Sequence, residues 1–205
     1  VYRGVSINAT VSFSTAQTIA VAEAIEAGLR RREAEGLDVA DMGHVCTIMV
    51  GRTDDWLKQV ITANGLDIDP AVCDWAGVAV FKNAYRIYQE RGYRTRLLSA
   101  AFRNHHHWSQ LIGGDVVISP PFGWQEKAND SGISGEARMH LPVDASILAE
   151  LERIGEEFHK AYDEHGMSPA EFDSYGATLR TLRQFLQANN DLEQFVRDIT
   201  VPDPD

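Results

Sequence analysis

The sequence predicts an α/β protein built on a parallel sheet. Short apolar, β-branched runs recur at 44–50, 93–101 and 115–119, the composition of buried strands. Stretches with helical periodicity and helix-start signals lie between them. The opening run, 4–14, alternates apolar Val5, Ile7, Ala9, Val11 and Phe13 with polar Ser6, Asn8, Thr10 and Ser12, the period of a strand with two unlike faces. Strands separated by single helices make βα repetition, and βα repetition makes parallel sheets.

The first strand's polar face carries only small neutral groups. Such a face suits open solvent or the wet interior of a barrel near its mouth, and the strand alone leaves both open. Ser14 and Gln17 have capping-box spacing and predict a helix to about Glu33, with Ile19, Ala22, Ile25 and Leu29 as its apolar stripe. Arg30, Arg31 and Arg32 complement the dipole at its C-terminal end and read as a solvated helix end. A loop, 36–43, leads to the strand at 44–50. Thr53 or Asp54 is suited to cap the next helix, which puts Arg52 where a strand's C-terminal end meets a helix's N-terminal end. Asp69 and Pro70 predict a helix start, and Gly92 stops that helix after about Glu90. The strand at 93–101 runs into Phe102-Arg103-Asn104, with Asn104 capping a short helix over 105–112. Gly113-Gly114 and Pro120-Pro121 bracket the strand at 115–119. The polar stretch 124–142 reads as a loop, and 144–164 as one long amphipathic helix. Ser168-Pro169-Ala170-Glu171 reads as a second capping box opening a helix to about Asn189, with a short helical turn before the Pro-Asp tail.

At 205 residues the chain is long enough for one domain with a substantial core. A net charge of −11 repels a phosphate backbone, which argues against general nucleic-acid binding. It leaves room for a small phosphorylated ligand held by local arginines. Cys46 and Cys73 have neither disulfide-framework nor zinc spacing, which fits a reducing, cytoplasmic compartment. The sequence shows no apolar run of membrane length and no signal peptide. It opens Val-Tyr-Arg and enters a strand almost at once, which reads as a processed, truncated or partial chain.

In parallel α/β proteins chemistry gathers at the C-terminal ends of the strands. The polar residues near those ends are Asn8, Thr10 and Ser12, then Thr47 and Arg52, then Ser99 and Arg103, then Ser119. Two arginines converging on one mouth would form a phosphate clamp, helped by aligned helix amides. The rival is that each pairs with a nearby acid such as Asp54 or Asp55. His105, His106 and His107 are consecutive on a helix and point in different directions, so they read as structural or surface residues and no metal is expected. Gly-rich phosphate loops, dinucleotide fingerprints and a GxSxG elbow are missing from the sequence. Of the lysines, 58, 82, 127 and 160, none falls in a predicted strand. Lys127, in the polar stretch, is a weak Schiff-base candidate, because that chemistry wants a desolvated amine. Taken alone, these residues give a binding wall without a convincing nucleophile.

Four ordered blocks carry a resemblance. SINATVSFS before a Gln-containing helix start, VCTIMVGRTDDW, NAYRIYQERGYRTRLLSAAFRN and VVISPP resemble the transaldolase family over roughly residues 4–121. The resemblance implies a parallel (βα) barrel of TIM type. This chain would hold strands 5–8 as the C-terminal half over 1–142, with C-terminal helices packed on it over 143–205. It implies transfer of a dihydroxyacetone unit between sugar phosphates through a Lys Schiff base, with no cofactor. Asn8 would meet substrate hydroxyls and Thr10 would position the catalytic water. Thr47 would stand near the substrate where the family usually has Ser, and Arg52 and Arg103 would bind phosphate. The Schiff-base Lys would lie upstream of this chain, on the preceding strand. The partner would be a missing N-terminal half-barrel or a second copy of the chain, with neither nucleic acid nor membrane involved. Three departures bear on specificity: Ala101 where Ser is common, Ile48-Met49 for Pro-Phe, and an insertion at 33–42. Two further readings stand beside transfer: aldolase-type cleavage of fructose 6-phosphate, and a non-catalytic sugar-phosphate-binding half-barrel.

Overall fold

A computed structural model describes residues 1–201; the Pro-Asp tail at 202–205 lies outside the described residues. Among those described, β1 (Asn8–Ser12), β2 (Val45–Ile48), β3 (Arg96–Ser99) and β4 (Val116–Ile118) form one sheet in the order β1-β2-β3-β4. Every neighbouring pair is parallel, as βα repetition predicts. Strands adjacent in sequence are adjacent in the sheet. Right-handed crossovers that all advance in one direction put their helices on one face, the winding of a barrel rather than of a doubly wound sheet. The register agrees. Cys46, Ile48, Leu97 and Ser99 share the covered face and are almost fully buried. Asn8 and Arg96, on the other face, are exposed.

The strict alternation expected over 4–14 does not hold. Ala9 pairs with Cys46 and Ser12 with Ile48, so β1 takes three steps where β2 takes two. The extra residue is a β-bulge, with Val11 at φ 65°. It turns Ser12, rather than Val11, toward the covered face, where Ser12 Oγ lies 3.9 Å from Cys46 Sγ. Val5 and Ile7 precede the strand and are exposed.

The first helix, α1 (Thr15–Ala34), forms as expected, with Ile19, Ala22, Ile25 and Leu29 buried. Its cap is shifted: Ser14 Oγ accepts from Gln17 N (3.2 Å), but Gln17 Oε1 accepts from Phe13 N (2.9 Å) rather than from Ser14 N. Helix α2 (Val50–Asn64) starts earlier than Thr53 or Asp54 would place it, and no side chain caps it. Thr53 Oγ1 instead donates to Phe13 O (3.0 Å), and the Asp54 carboxylate is buried. A 3-10 turn, Pro70–Trp75, is capped by Asp69 and leads into α3 (Ala76–Arg91), which Gly92 ends at φ 63°. Asn104 Oδ1 accepts from His106 N (2.9 Å) at the head of α4 (His106–Ser109).

The loop expected at 124–142 contains a helix, α5 (Phe122–Asp130). It buries no residue, so it carries no apolar stripe to betray it. The single helix expected at 144–164 is two, α6 (Ala145–Glu152) and α7 (Glu156–Tyr162), broken where Gly155 takes φ 81°. The second capping box forms, with Glu171 Oε2 accepting from Ser168 N (2.8 Å) and Ser168 Oγ (2.7 Å). It closes only a 3-10 turn, Pro169–Glu171; α8 (Gly176–Thr200) starts later and runs on past Asn189.

Two cores result. Phe13, Ile48, Phe81, Tyr88 and Leu97 pack the sheet against α1 and α3. Leu57, Ile61, Leu151 and Phe158 join α2 to α6 and α7.

Candidate functional site

The candidate site draws on three strands. The sequence places Asn8 near a strand's C-terminal end; in the structure it is the first residue of β1 and pairs with Val45, the first of β2, because the strand begins later than the alternating run suggests. On β1 and β2, Thr47 Oγ1 donates to Asn8 Oδ1 at 2.7 Å. Thr47 is buried and Asn8 exposed. Thr47 holds the amide oxygen, and the two Nδ2 donors of the exposed Asn8 have no partner among the described residues, which leaves them to suit hydroxyl acceptors. Thr10 stands apart. It lines a cavity of about 460 Å³ with Gln17, Phe172, Asp173 and Thr178, on the flank of β1. The structure therefore brings Asn8 and Thr47 together and sets Thr10 apart, within the bulge between Ala9 and Ser12.

The C-terminal ends of β2 and β3 carry the arginines. The first turn of α2 lies directly against the turn after β3: a Cβ on Gly51 would come 2.0 Å from Ala101 O and 2.7 Å from Arg103 Cγ. Only glycine permits that approach, and it sets Arg52 and Arg103 beside one uncapped helix N-terminus. Burial, and then the positive charge of Arg103, hold the Arg52 guanidinium below its ordinary value. An uncapped helix start with two guanidinium groups beside it is an anion-accepting arrangement.

The two arginines are not equivalent. Arg103 grips Asp55 through Nε (3.0 Å) and Nη2 (2.8 Å), and its Nη1 donates to Ala101 O and Phe102 O, both at 3.2 Å. Of five N–H donors, one is left. Arg52 forms no salt bridge among the described residues. Its Nη1 donates to Thr181 Oγ1 (3.4 Å) and Gln184 Oε1 of α8, its Nε is buried without a partner, and its Nη2 donors are free. The Phe185 ring lies 5.2 Å from the same guanidinium. The rival of arginine–acid pairing thus holds for Arg103 and fails for Arg52.

Sequence reasoning missed the support beneath this site. Asp54 and His107 are both fully buried and meet at 2.7 Å, Asp54 Oδ2 to His107 Nε2. Burial pushes the Asp54 carboxyl up, and its hydrogen bonds to His107 and Gly77 N only partly offset that. The structural reading of the histidine run holds, since the His106 ring stacks on Trp75 at 4.0 Å and His107 is in the core. The α8 residues Thr181 and Gln184 carried no signal, because nothing local ties them to Arg52. All four lysines sit on helices: Lys58 pairs with Asp74 and Lys160 with Glu157, while Lys127 lies over the Trp124 ring at 4.6 Å. Lys82 donates to the carbonyls of Arg138 and Leu141.

A family model described as Transaldolase/Fructose-6-phosphate aldolase matches residues 1–194. The chain belongs to that family. Among its relatives are a transaldolase of Alteromonas mediterranea, 30% identical over 169 residues, and one of Gloeobacter violaceus, 29% identical over 174. These alignments take in 81% and 83% of this chain, but 45% and 38% of the relatives. A protein called transaldolase 1 from Streptomyces avermitilis is 33% identical over 119 residues, 58% of this chain and 32% of its own length. The chain thus spans less than half the length of these transaldolases. The family-model match, residues 1–194, takes in Asn8, Thr47, Arg52 and Arg103.

Proposed function

We propose that this chain is the substrate-binding half of a transaldolase-like enzyme that moves a dihydroxyacetone unit between sugar phosphates through a Lys Schiff base. The observation that carries this reading is the pair Arg52 and Arg103 beside the uncapped start of α2. In it, Arg52 is the principal phosphate donor and Arg103 adds its one remaining N–H. The Asn8 amide, oriented by Thr47, holds the sugar hydroxyls; Thr10, which lines the cavity on the flank of β1, takes no role in this reading. In this reading the Schiff-base amine is supplied by a strand that precedes β1 in the barrel; the four lysines of this chain lie on helices. Residues 1–142 then correspond to strands 5–8 of a (βα)8 barrel, and the helices within 143–201 to an addition packed on it. The complementary half-barrel, or a second copy of the chain, docks at the free edge of β1. The protein works in the cytoplasm.

The second reading is aldolase-type cleavage, which the family description includes beside transfer. Met49, half-buried at the head of α2 beside Arg52, is the residue whose side chain would shape acceptor access.

Calorimetric titration of this chain with fructose 6-phosphate tests the clamp. Arg52→Ala should weaken binding by roughly ten- to a hundredfold, since a charge-assisted hydrogen bond contributes about 1.5–3 kcal/mol and 1.4 kcal/mol is tenfold. Unchanged affinity in both Arg52→Ala and Arg103→Ala would overturn it. Borohydride trapping with the same sugar, on protein carrying the lysine, tests the Schiff base. Product analysis without an acceptor aldehyde separates transfer from cleavage.

A further inference from the structure

The His105–His107 run takes no part in the proposed chemistry, yet His107 contacts the backbone of Arg103. His107 Nδ1 accepts the Arg103 N–H at 3.0 Å. A ring nitrogen that accepts carries no proton, so the neutral ring bears its proton on Nε2 and donates it to Asp54 Oδ2 at 2.7 Å. Asp54 Oδ1 accepts from Gly77 N (2.8 Å) at the head of α3. Asn104 Nδ2 donates to Asp54 Oδ2 (3.3 Å) and to Asp74 O (3.1 Å), and Ser99 Oγ donates to His107 O (2.9 Å).

The turn held in this way is a strained one. Ala101, two residues before Arg103, has φ 62°, a left-handed conformation that a non-glycine residue keeps only when its surroundings enforce it. Adjacent residues of α2 then hold Arg103 from two sides. Asp55 grips the guanidinium directly (2.8 Å), and Asp54 holds the backbone through the imidazole. A fully buried aspartate–histidine pair is costly compared with apolar packing of similar volume. Its particular contribution here is a lone pair aimed at one backbone amide.

We propose that Asp54 and His107 are positioning residues for Arg103: the buried pair fixes the turn after β3 so that the guanidinium reaches the anion position at the start of α2. The proposal rests on the phosphate-binding reading of Arg103 given above. A mere staple between α2, α3 and α4 would depend on the Asp54 contacts alone and would be indifferent to the acceptor at Nδ1.

Two substitutions separate these cases. His107→Asn keeps an acceptor near the Nδ1 position and loses the donor to Asp54. His107→Gln keeps a donor near Nε2 and loses the acceptor for Arg103. In calorimetric titration of the full chain with fructose 6-phosphate, His107→Asn should bind within about twofold of the parent and His107→Gln about tenfold more weakly. Parent-like binding by His107→Gln, or equal losses that follow the melting temperature, would overturn the proposal. A readout on the unsubstituted protein covers variants that fail to fold: nitrogen-15 spectra of the imidazole should show the Nε2–H tautomer, and a proton on Nδ1 would overturn it. Arg103→Ala is the control. If it binds like the parent, the phosphate reading of Arg103 fails. The Arg103 amide-proton shift then still judges the positioning, because it should move in His107→Gln and stay in His107→Asn.

Discussion

Thr47 and Asn8 act as one group. The Thr47 hydroxyl fixes which way the Asn8 amide points (2.7 Å), and Asn8 then offers donors rather than a mixture of donor and acceptor. Thr47→Val keeps the shape and removes that orientation. It should lower sugar-phosphate affinity severalfold while changing stability by only about 1 kcal/mol, the net contribution of an ordinary hydrogen bond; paired titration and denaturant melts check both. The strand-end rule placed Thr47, Arg52 and Arg103, because it needs only the positions where apolar runs stop; it misplaced Asn8, which opens β1. The Asp54–His107 pair was not legible. Its members lie 53 residues apart, and neither burial nor pairing leaves a local trace in sequence.

Where elements meet, backbone approach decides the geometry. Gly51→Ala would put a Cβ 2.0 Å from Ala101 O, which is backbone and cannot turn aside. The variant should lose about 1–3 kcal/mol or more, as overpacking does, and lose phosphate binding with it. Denaturant melts and phosphate titration read the two effects. A second joint ties α1 to β3: the Glu26 carboxylate accepts from Arg94 N (2.9 Å) and Arg94 Nη2 (2.8 Å). Burial pushes the Glu26 carboxyl up, but the bonds and charge of Arg94 outweigh it and hold it below its ordinary 4.5. A depressed acid adds stability above its unfolded value and loses it as pH falls through its folded value. Solvent screening at the half-exposed Arg94 keeps the effect modest. Melting curves of the parent and Glu26→Gln should therefore differ at neutral pH and begin to converge only as pH falls below about 4.5. Element type was legible wherever one face is buried, as in α1 and α3. It failed for α5, which buries nothing, and at Gly155, where one residue turns an amphipathic run into two helices. The bulge in β1 was hidden as well, since an extra residue exists only relative to the partner strand.

For the whole molecule, the apolar surface is placed unevenly. Leu182, Phe185, Leu186, Leu192, Phe195 and Ile199 of α8 are all about half-exposed or more, and an apolar hollow of about 360 Å³ opens beside Ile7, Ala9 and Val21 on the β1 flank. Patches of this kind mark contact surfaces. In solution the chain should therefore sediment with a mass above that of one copy, and paired Leu192→Glu and Ile199→Glu substitutions should return it to one copy without lowering its melting temperature. No helix among the described residues is long and apolar enough to cross a membrane. The parallel sheet itself was foreseeable, because βα repetition leaves few topologies. The surface of α8 was not, because its apolar spacing reads the same in a covered helix as in an exposed one.

The order β1-β2-β3-β4 has a consequence for inheritance. When neighbours along the chain are neighbours in the sheet, a break in the gene between two βα units severs one strand ladder of hydrogen bonds, with the side-chain contacts that accompany it. Both products then end in strand edges of the same spacing and direction, so pieces can be split, duplicated or rejoined at such boundaries without learning a new interface. Recombination between units is accordingly cheap in a fold of this kind. A break between the second and third units would also have to preserve the close approach of Gly51 to Ala101, which crosses that boundary.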